Sequence, residues 1–247
     1  MRYVLLLLWV VSTSLLAEHS NVTKLRNPDP KTGRPIAFEI TQASKPMTMD
    51  EALGQDSKNL VVDPETYELK SPTGKAFKIS RLTEEQASQL FKEMAEQKDI
   101  PFCYPEDGCY ARAHKMTQLL EKKGVIAAKV FLVGDLKVET KNSPKGFVEW
   151  WYHVAPLIAV EKEKKIEMFV LDPSLGKGPL KLDDWVNLQI SHPGGKKDSL
   201  YYTPRFNYTP SNKDQQRKEY DKDDKEDTQR TLEQYLRIQK ERSTKKD

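Results

Sequence analysis

The stretch DGCYARAHKM, residues 107–116, contains the signals for a helix that begins at a thiol. Its Asp-Gly pair is a turn signal, and the residues that follow are good helix formers. Cys109, Ala113 and Met116 recur at the spacing of one helical face. Gly124, which follows two lysines, is typical of the end of a helix. The pattern therefore predicts a helix that has Cys109 in its first turn and ends before Gly124.

The two faces of this helix are expected to differ in polarity. Cys109 lies on or near the apolar face, whereas Arg112, Lys115 and Gln118 supply the polar side. The N-terminal end of a helix presents free N–H groups and a partial positive charge, and both favour a thiolate over a thiol. Because the thiolate is the nucleophilic form of cysteine, Cys109 is a candidate catalytic nucleophile, and the same N–H groups can hold an oxyanion.

Two segments downstream have the composition of β-strands. Residues 147–160 are apolar, aromatic and β-branched, and residues 166–171 alternate in the manner of a strand. The charged residues 161–165 between them suit the tip of a hairpin. The two segments are therefore predicted to pair antiparallel.

This pairing brings a histidine opposite an aspartate. With a four-residue loop, Val160 faces Lys165. His153 then faces Asp172, with Cβ atoms roughly 4.5–5.5 Å apart, so that the carboxylate can hold one imidazole nitrogen. Pro156 cannot donate to a ladder and is expected to mark an edge or a bulge. A slip of one residue would place the histidine and the aspartate on opposite faces of the sheet.

Each of these residues also has an ordinary structural interpretation. A lone cysteine on an apolar helix face is usually a small core residue, and a lone histidine in a strand is usually structural. An aspartate before a proline, such as Asp172, is commonly a turn former. The combination of Cys109, His153 and Asp172 on three elements that can meet favours a cysteine enzyme.

The segments DGCYARAHKM, WYHVAP and VLDPS resemble those of the bacterial protein-glutaminase family, whose members are secreted protein-glutamine deamidases. The similarity runs from about residue 78 to about residue 208. The resemblance implies an α+β fold with a papain- or transglutaminase-like core, in which an antiparallel sheet packs against the helix that bears the nucleophile. It also implies that Cys109, His153 and Asp172 are the catalytic residues and that no cofactor is needed. Members of the family resemble zymogens, with a pro-segment that covers the active site.

The leading hypothesis is a deamidase that hydrolyses the side-chain amide of protein-bound glutamine to glutamate and ammonia through a thioester. Its partners would be protein or peptide substrates bearing glutamine, and it is expected to be a monomer. Trp151 and Tyr152, beside the histidine, are candidate substrate-binding residues, although aromatic strand residues are more often part of a core. A transglutaminase or a thiol peptidase could use the same three catalytic residues. A non-enzymatic exported binding module, in which Cys109 is structural, is the third alternative.

The N-terminus has the features of a signal peptide. Arg2 supplies a positive charge, and residues 4–11 form an apolar run too short to span a bilayer with ease. Cleavage is expected after Ala17. The mature protein is therefore predicted to be secreted or periplasmic, without a stable membrane anchor.

The predicted organisation has four parts. They are a signal peptide (1–17), an N-terminal arm or pro-like segment (18–75), a catalytic cysteine-hydrolase domain (76–210) and a charged tail that is partly helical or disordered (211–247). In the domain, a capping-box pattern starts a helix at Thr83.

Composition excludes two classes of function. A formal net charge of +3 gives no support for nucleic-acid binding, which favours strongly basic faces. The two cysteines and four scattered histidines lack the spacing of metal ligands, so no metal site is predicted. A disulfide between Cys103 and Cys109 is geometrically possible, but a permanent bridge would consume the proposed nucleophile.

Overall fold

The computed structural model describes residues 66–215 and 217–244. Its strands are β1 (Thr66–Lys70), β2 (Ala76–Thr83), β3 (Ala128–Glu139), β4 (Phe147–Lys162), β5 (Lys165–Val170), β6 (Leu180–Lys181) and β7 (Lys196–Pro204). Its helices are α1 (Glu84–Ala95), α2 (Cys109–Lys122), α3 (Leu182–Ile190) and α4 (Lys222–Thr244), with a short 3-10 helix at Pro210–Asn212. The predicted signal peptide and most of the predicted N-terminal arm lie outside the described residues.

Strand β4 is the centre of the seven-stranded sheet that these strands form. Its first part pairs antiparallel with β3, and its last part lies between β5, which is antiparallel, and β2, which is parallel. Strand β7 pairs with the other side of β3, β1 pairs with β2, and β6 pairs with β5. The combination of this sheet with four described helices confirms the predicted α+β class.

A hydrophobic core lies on each face of the sheet. Tyr152, Val154 and Ile158 of β4 belong to the core that contains the buried faces of α1 and α2. Ala155 and Leu157 belong to the opposite core, which contains the buried residues of α3. Because this part of β4 is buried on both faces, its sequence is an almost continuous apolar run.

Helix α2 has the bounds that the sequence predicts. Gly108 precedes its first residue and Gly124 follows its end, with φ angles of 80° and 77°. Its predicted polar side is not exposed, however, because Arg112, Lys115 and Gln118 are all buried. These polar residues are buried because α4 and the loop before α2 cover that side of the helix.

The hairpin between β4 and β5 differs from the prediction by two residues. Its loop is the two-residue turn 163–164, in which both residues have positive φ, as a type I′ turn requires. Lys162 therefore faces Lys165, and His153 does not lie directly opposite Asp172. A shift of two residues leaves every side chain on its predicted face, because the side-chain period of a strand is two.

Pro156 lies where β5 separates from β4. Its carbonyl accepts a 2.9 Å hydrogen bond from the N–H of Leu171, one residue after β5 ends at Val170. The proline therefore lies at the end of the β4–β5 pairing but within the central strand, where it pairs with Lys129 of β3, and not on an edge strand or at a bulge.

The predicted start of α1 is confirmed. The capping box at Thr83 is present in both directions, with N···O distances of 3.2 and 2.9 Å to Gln86. The segment from Trp185 to Ile190, ambiguous in the sequence, belongs to helix α3.

The charged C-terminal segment contains α4, which packs against α2 through buried residues that include Leu232 and Tyr235. Ordered structure thus extends on both sides of the segment 76–210, and the domain boundaries remain predictions. Among the residues that the structure describes, no helix is both long enough and apolar enough to cross a bilayer.

Candidate active site

His153 and Asp172 form a buried pair at the point where β5 leaves the sheet. His153 Nε2 lies 2.7 Å from Asp172 Oδ2, and the two residues are 1% and 3% exposed. Asp172 lies two residues beyond the end of β5. In the register of this hairpin it is two residues away from the position opposite His153, so it is a diagonal neighbour on the same face and its carboxylate can reach the imidazole.

The Asp172 carboxylate is held by more than the histidine. Trp185 Nε1 donates to Oδ2 at 3.0 Å, and the backbone N–H of Ser174 donates to Oδ1 at 3.1 Å. The backbone carbonyl of Asp172 also accepts bonds from the N–H groups of Leu175 and Gly176. Asp172 is therefore both a turn former and the fixed partner of the histidine, so the two interpretations of this residue are compatible.

The imidazole of His153 is stacked against two tryptophans. The ring centroid of Trp150 lies 4.7 Å away at an interplanar angle of 18°, and that of Trp185 lies 5.5 Å away at 28°. The Trp150 indole N–H also donates to the carbonyls of Pro105 and Glu106, at 3.0 and 3.2 Å. The strand that bears the histidine is thereby tied to the loop that precedes α2.

Cys109 is the first residue of α2 and is 5% exposed. Gly108, the residue before the helix, offers no side chain to cap the first turn. The N–H of Cys109 has no acceptor within the helix, because the first N–H groups of any helix lack one. An acyl oxygen bound at the thiol would therefore meet backbone donors at a helix N-terminus.

The electrostatics of His153 favour its protonated form. Burial lowers the pKa of its imidazole, but the charge and hydrogen bond of Asp172, with a further hydrogen-bond contribution from Cys109, raise this pKa to about 9. Nδ1, the other ring nitrogen, is buried and has no hydrogen-bond partner among the described residues, although Cys109 is near enough to contribute to the pKa of the ring. Burial raises the pKa of Asp172, but the neighbouring His153 and the Trp185 N–H bring it below its ordinary value.

Trp151 and Tyr152, the predicted substrate-binding residues, differ in exposure. Tyr152 is 3% exposed and lies in the core on the α2 side of the sheet. Burial, followed by the charge of Cys109, raises the pKa of its phenol, and Cys109 belongs to the same core. Trp151 is partly exposed, packs on the same core and contacts the Tyr152 ring at a centroid distance of 4.5 Å.

Both cysteines of the chain are free thiols, Cys103 exposed and Cys109 buried. Within residues 66–215 and 217–244, no group of three or more His, Cys, Asp or Glu side chains is placed to hold a metal ion. Cys109 is therefore not joined to Cys103 by a disulfide in this structure.

Trp185 and Arg112 are the site residues that sequence reasoning missed. Trp185 is fully buried, and its indole is directed at Asp172 by a helix that the sequence pattern left ambiguous. Arg112 is 2% exposed, and its charge helps to lower the pKa of Asp172. The acidic first turn of α3, Asp183 and Asp184, was a signal for that helix, although not for the residue that the indole would contact.

Comparison with known proteins identifies a family model and solved structures that are similar to this chain. A family model described as glutaminase matches residues 87–189. The NMR structure of protein-glutaminase from Chryseobacterium proteolyticum is 30% identical, with a TM-score of 0.53, over 63% of this chain and 88% of that one. A crystal structure of protein-glutaminase is also 30% identical, with a TM-score of 0.51, over 63% and 90%.

A crystal structure of pro-protein-glutaminase matches 71% of this chain and 62% of its own length, at 30% identity and a TM-score of 0.54. No curated protein sequence matches the chain significantly. The family model and the solved structures agree with each other and with the resemblance of the DGCYARAHKM segment. The prediction of a glutaminase enzyme is confirmed, and the chain belongs to the protein-glutaminase family.

Proposed function

We propose that the protein is an exported deamidase that converts protein-bound glutamine to glutamate, with Cys109 as nucleophile, His153 as acid and base, and Asp172 as the residue that orients the histidine. The observation that carries this proposal is the buried His153, which has Asp172 at one ring nitrogen and interacts with Cys109. An imidazole between a carboxylate and a thiol is the arrangement that activates a cysteine nucleophile.

The reaction begins from a thiolate–imidazolium pair. The raised pKa of His153, about 9, keeps its ring protonated at neutral pH and thus favours this pair. The Cys109 thiolate attacks the carbon of the glutamine carboxamide, and the oxygen becomes negatively charged. The N–H of Cys109 at the start of α2 stabilises this oxyanion. His153 then protonates the nitrogen, the C–N bond breaks, and ammonia leaves a thioester on Cys109.

Water completes the reaction. The now neutral His153 removes a proton from a water molecule, whose oxygen attacks the thioester carbon. When the C–S bond breaks, the glutamate carboxyl group is released and the thiolate–imidazolium pair returns. Asp172 holds the ring in one orientation throughout both steps, and its bonds from Trp185 and Ser174 keep the carboxylate itself fixed.

The aromatic residues beside the histidine are proposed to shape the substrate site. Trp151 is partly exposed and thus accessible to a bound substrate, while the buried Tyr152 lies behind it, near the thiol. Together they would wall the glutamine side chain and limit access of bulk water. The predicted signal peptide supports export of the enzyme, which we propose to act as a monomer.

The decisive experiment measures ammonia release from a glutamine-rich protein and from free glutamine, with and without an added amine. We expect release from the protein substrate, an increase of about one mass unit per modified site because an amide becomes a carboxyl, and faster turnover of protein-bound than of free glutamine. Cys109→Ser should lose the activity by several orders of magnitude, because a serine hydroxyl is far less ionised than a thiol.

Other outcomes of this experiment would identify another enzyme. Amine-linked or cross-linked products would indicate a transglutaminase, and shortened chains a thiol peptidase. If Cys109→Ser kept a tenth of the ammonia release, Cys109 would not be the nucleophile. Absence of all three reactions in the wild-type protein would favour the binding-module hypothesis.

A further inference from the structure

The turn that precedes Cys109 is bonded to the C-terminal helix. The hydroxyl of Tyr235, in α4, donates to Asp107 Oδ2 at 2.5 Å, and both residues are buried. Asp107 Oδ1 accepts a 2.6 Å bond from the backbone N–H of Gly108, the residue immediately before the nucleophile. A side chain of α4 is thus connected through one carboxylate to the peptide group next to Cys109.

The ring of Tyr235 also packs directly on this turn. Gly108 has a φ of +80°, and a Cβ atom built on it would lie 2.7 Å from two carbons of the Tyr235 ring. Glycine is required here both for the left-handed backbone and for the close approach of the ring. The aromatic ring therefore restrains the backbone whose direction determines where the Cys109 thiol and N–H point.

Further contacts hold the rest of the loop against α4. Gln239 Oε1 accepts a 2.8 Å bond from the N–H of Cys103, and the Arg242 guanidinium forms an ion pair with Glu106. From the opposite side, Arg112 of α2 donates to the carbonyl of Asp107 at 2.7 Å. The loop of residues 103–108 thus contacts both α4 and the helix that it introduces.

We propose that Tyr235 and Asp107 are positioning residues of the active site, which align Cys109 with His153 and with the substrate amide. This inference rests on the proposed role of Cys109 as the nucleophile. The alignment matters because a misplacement of about 1 Å can lower a catalytic rate by roughly a hundredfold. Helix α4 is accordingly part of the catalytic apparatus and not only a cover for α2.

The test compares two variants that each remove one buried tyrosine hydroxyl whose hydrogen bond joins α4 to another part of the protein. Tyr235→Phe removes the bond to Asp107, whereas Tyr208→Phe removes a 2.9 Å bond to Asp227 of the same helix. Both variants keep the aromatic ring. Tyr208→Phe is the matched control for loss of helix anchoring, because its hydroxyl contacts α4 away from the loop before Cys109.

For Tyr235→Phe we expect kcat for ammonia release to fall by roughly tenfold to a hundredfold, with KM changed by less than about twofold. Tyr208→Phe should keep kcat within about twofold of the wild-type value, even if its Tm falls as much as that of Tyr235→Phe. Asp107→Asn combined with Tyr235→Phe should lower kcat little more than either change alone, since both disrupt one interaction. Equal kcat per folded molecule in Tyr235→Phe and Tyr208→Phe would overturn the proposal.

Alkylation of Cys109 by iodoacetamide separates this proposal from the proposed function, because it requires no glutamine substrate. In a Cys103→Ser background, which removes the exposed thiol, Tyr235→Phe should lower the second-order rate constant about fivefold or more, because alkylation depends on the environment of the thiolate. Tyr208→Phe should leave this rate constant within about twofold. If the wild-type protein does not deamidate but this difference remains, the proposed function fails and the positioning role stands. Equal alkylation rates in the two variants would contradict the positioning role.

Discussion

Two buried histidines, His153 and His114, differ chiefly in the charge of the residue beside them. His153 Nε2 contacts the carboxylate of Asp172, whereas His114 Nδ1 lies 2.8 Å from the amino group of Lys129. Both histidines are at most 1% exposed and both contact aromatic rings. Burial lowers the pKa of both imidazoles; Asp172 reverses this effect at His153, and Lys129 reinforces it at His114.

The comparison shows that burial alone does not make a histidine an acid–base group. His153 keeps a proton at neutral pH because a carboxylate accompanies it, and in the proposed mechanism this proton is transferred to the leaving nitrogen. The lowered pKa keeps His114 neutral. The pKa of Lys129 is also lowered, by burial and by the charge of Arg217, although the charge of Asp224 acts in the opposite direction. Lys129 also donates to the carbonyl of Asn207 at 2.6 Å, which is a structural bond.

The largest expected effect comes from removing the carboxylate at His153. Asp172→Asn should lower kcat by up to about 10⁴, the effect of the equivalent change in a serine protease, with a smaller effect on KM. The amide would neither stabilise the imidazolium nor fix the ring in the correct tautomer. Ammonia release at saturating substrate measures the effect. Wild-type kcat in this variant would mean that Asp172 serves only as a turn residue before Pro173.

The second prediction concerns stability above neutral pH. The folded pKa of His153, about 9, exceeds the unfolded value of about 6.5, so the folded state keeps a proton that the unfolded state releases. The contribution of this residue is fully present below pH ~6.5 and is lost as pH rises to ~9, a change of about 3 kcal/mol in the free energy of unfolding. Denaturant titration across this range measures it.

The control for this pH dependence is Asp172→Asn, in which the raised pKa has lost its main cause. The decline in unfolding free energy between neutral and alkaline pH should then become much shallower. A decline of the same size in both proteins would assign it to groups other than the His153–Asp172 pair.

The smallest expected effect is at the second histidine. Lys129→Met should leave kcat within about twofold of the wild-type value, because neither Lys129 nor His114 takes part in the proposed chemistry. It should also make stability less sensitive to acid. Both His114 and Lys129 have a lowered pKa in the folded state, so the stability they contribute is lost as pH falls below their unfolded pKa values. Each proton that only the unfolded state binds accounts for up to about 1.4 kcal/mol per pH unit.

Urea unfolding of wild type and Lys129→Met at pH 7 and pH 5.5 provides the measurement. The wild-type protein should lose more stability than the variant between these two pH values. An identical loss would show that the His114–Lys129 pair does not titrate as its lowered pKa values indicate. A large loss of kcat would give this second histidine a role in the reaction.

Local signals predicted the parts of the fold that depend on short stretches of chain. The bounds of α2 follow from its two flanking glycines, and the start of α1 follows from a capping box at Thr83. The shared face of His153 and Asp172 was predicted even though the register was displaced by two residues, because the side-chain period of a strand is also two. The error in register arose from the loop. Its two residues are Glu163 and Lys164, and neither is the glycine or asparagine that would signal a type I′ turn.

Long-range packing determined what the sequence did not predict. The burial of Arg112 depends on carbonyls of the loop before α2, and that of Lys129 depends on His114 and Asn207. The bond between Trp185 and Asp172 requires that α3 pack on the sheet next to the histidine. No periodicity within a single element specifies which distant residues will meet.

The bond between Tyr235 and Asp107 joins positions 128 residues apart, and this separation bears on how the site assembles during folding. The β4–β5 hairpin, which brings His153 and Asp172 together, closes over a two-residue turn and needs only local contacts. Contacts that close long loops form slowly, because the entropy of the intervening chain must be lost first. We expect His153 and Asp172 to be in place before Cys109 is aligned. A chain that is still folding would then lack a complete site until α4 has docked.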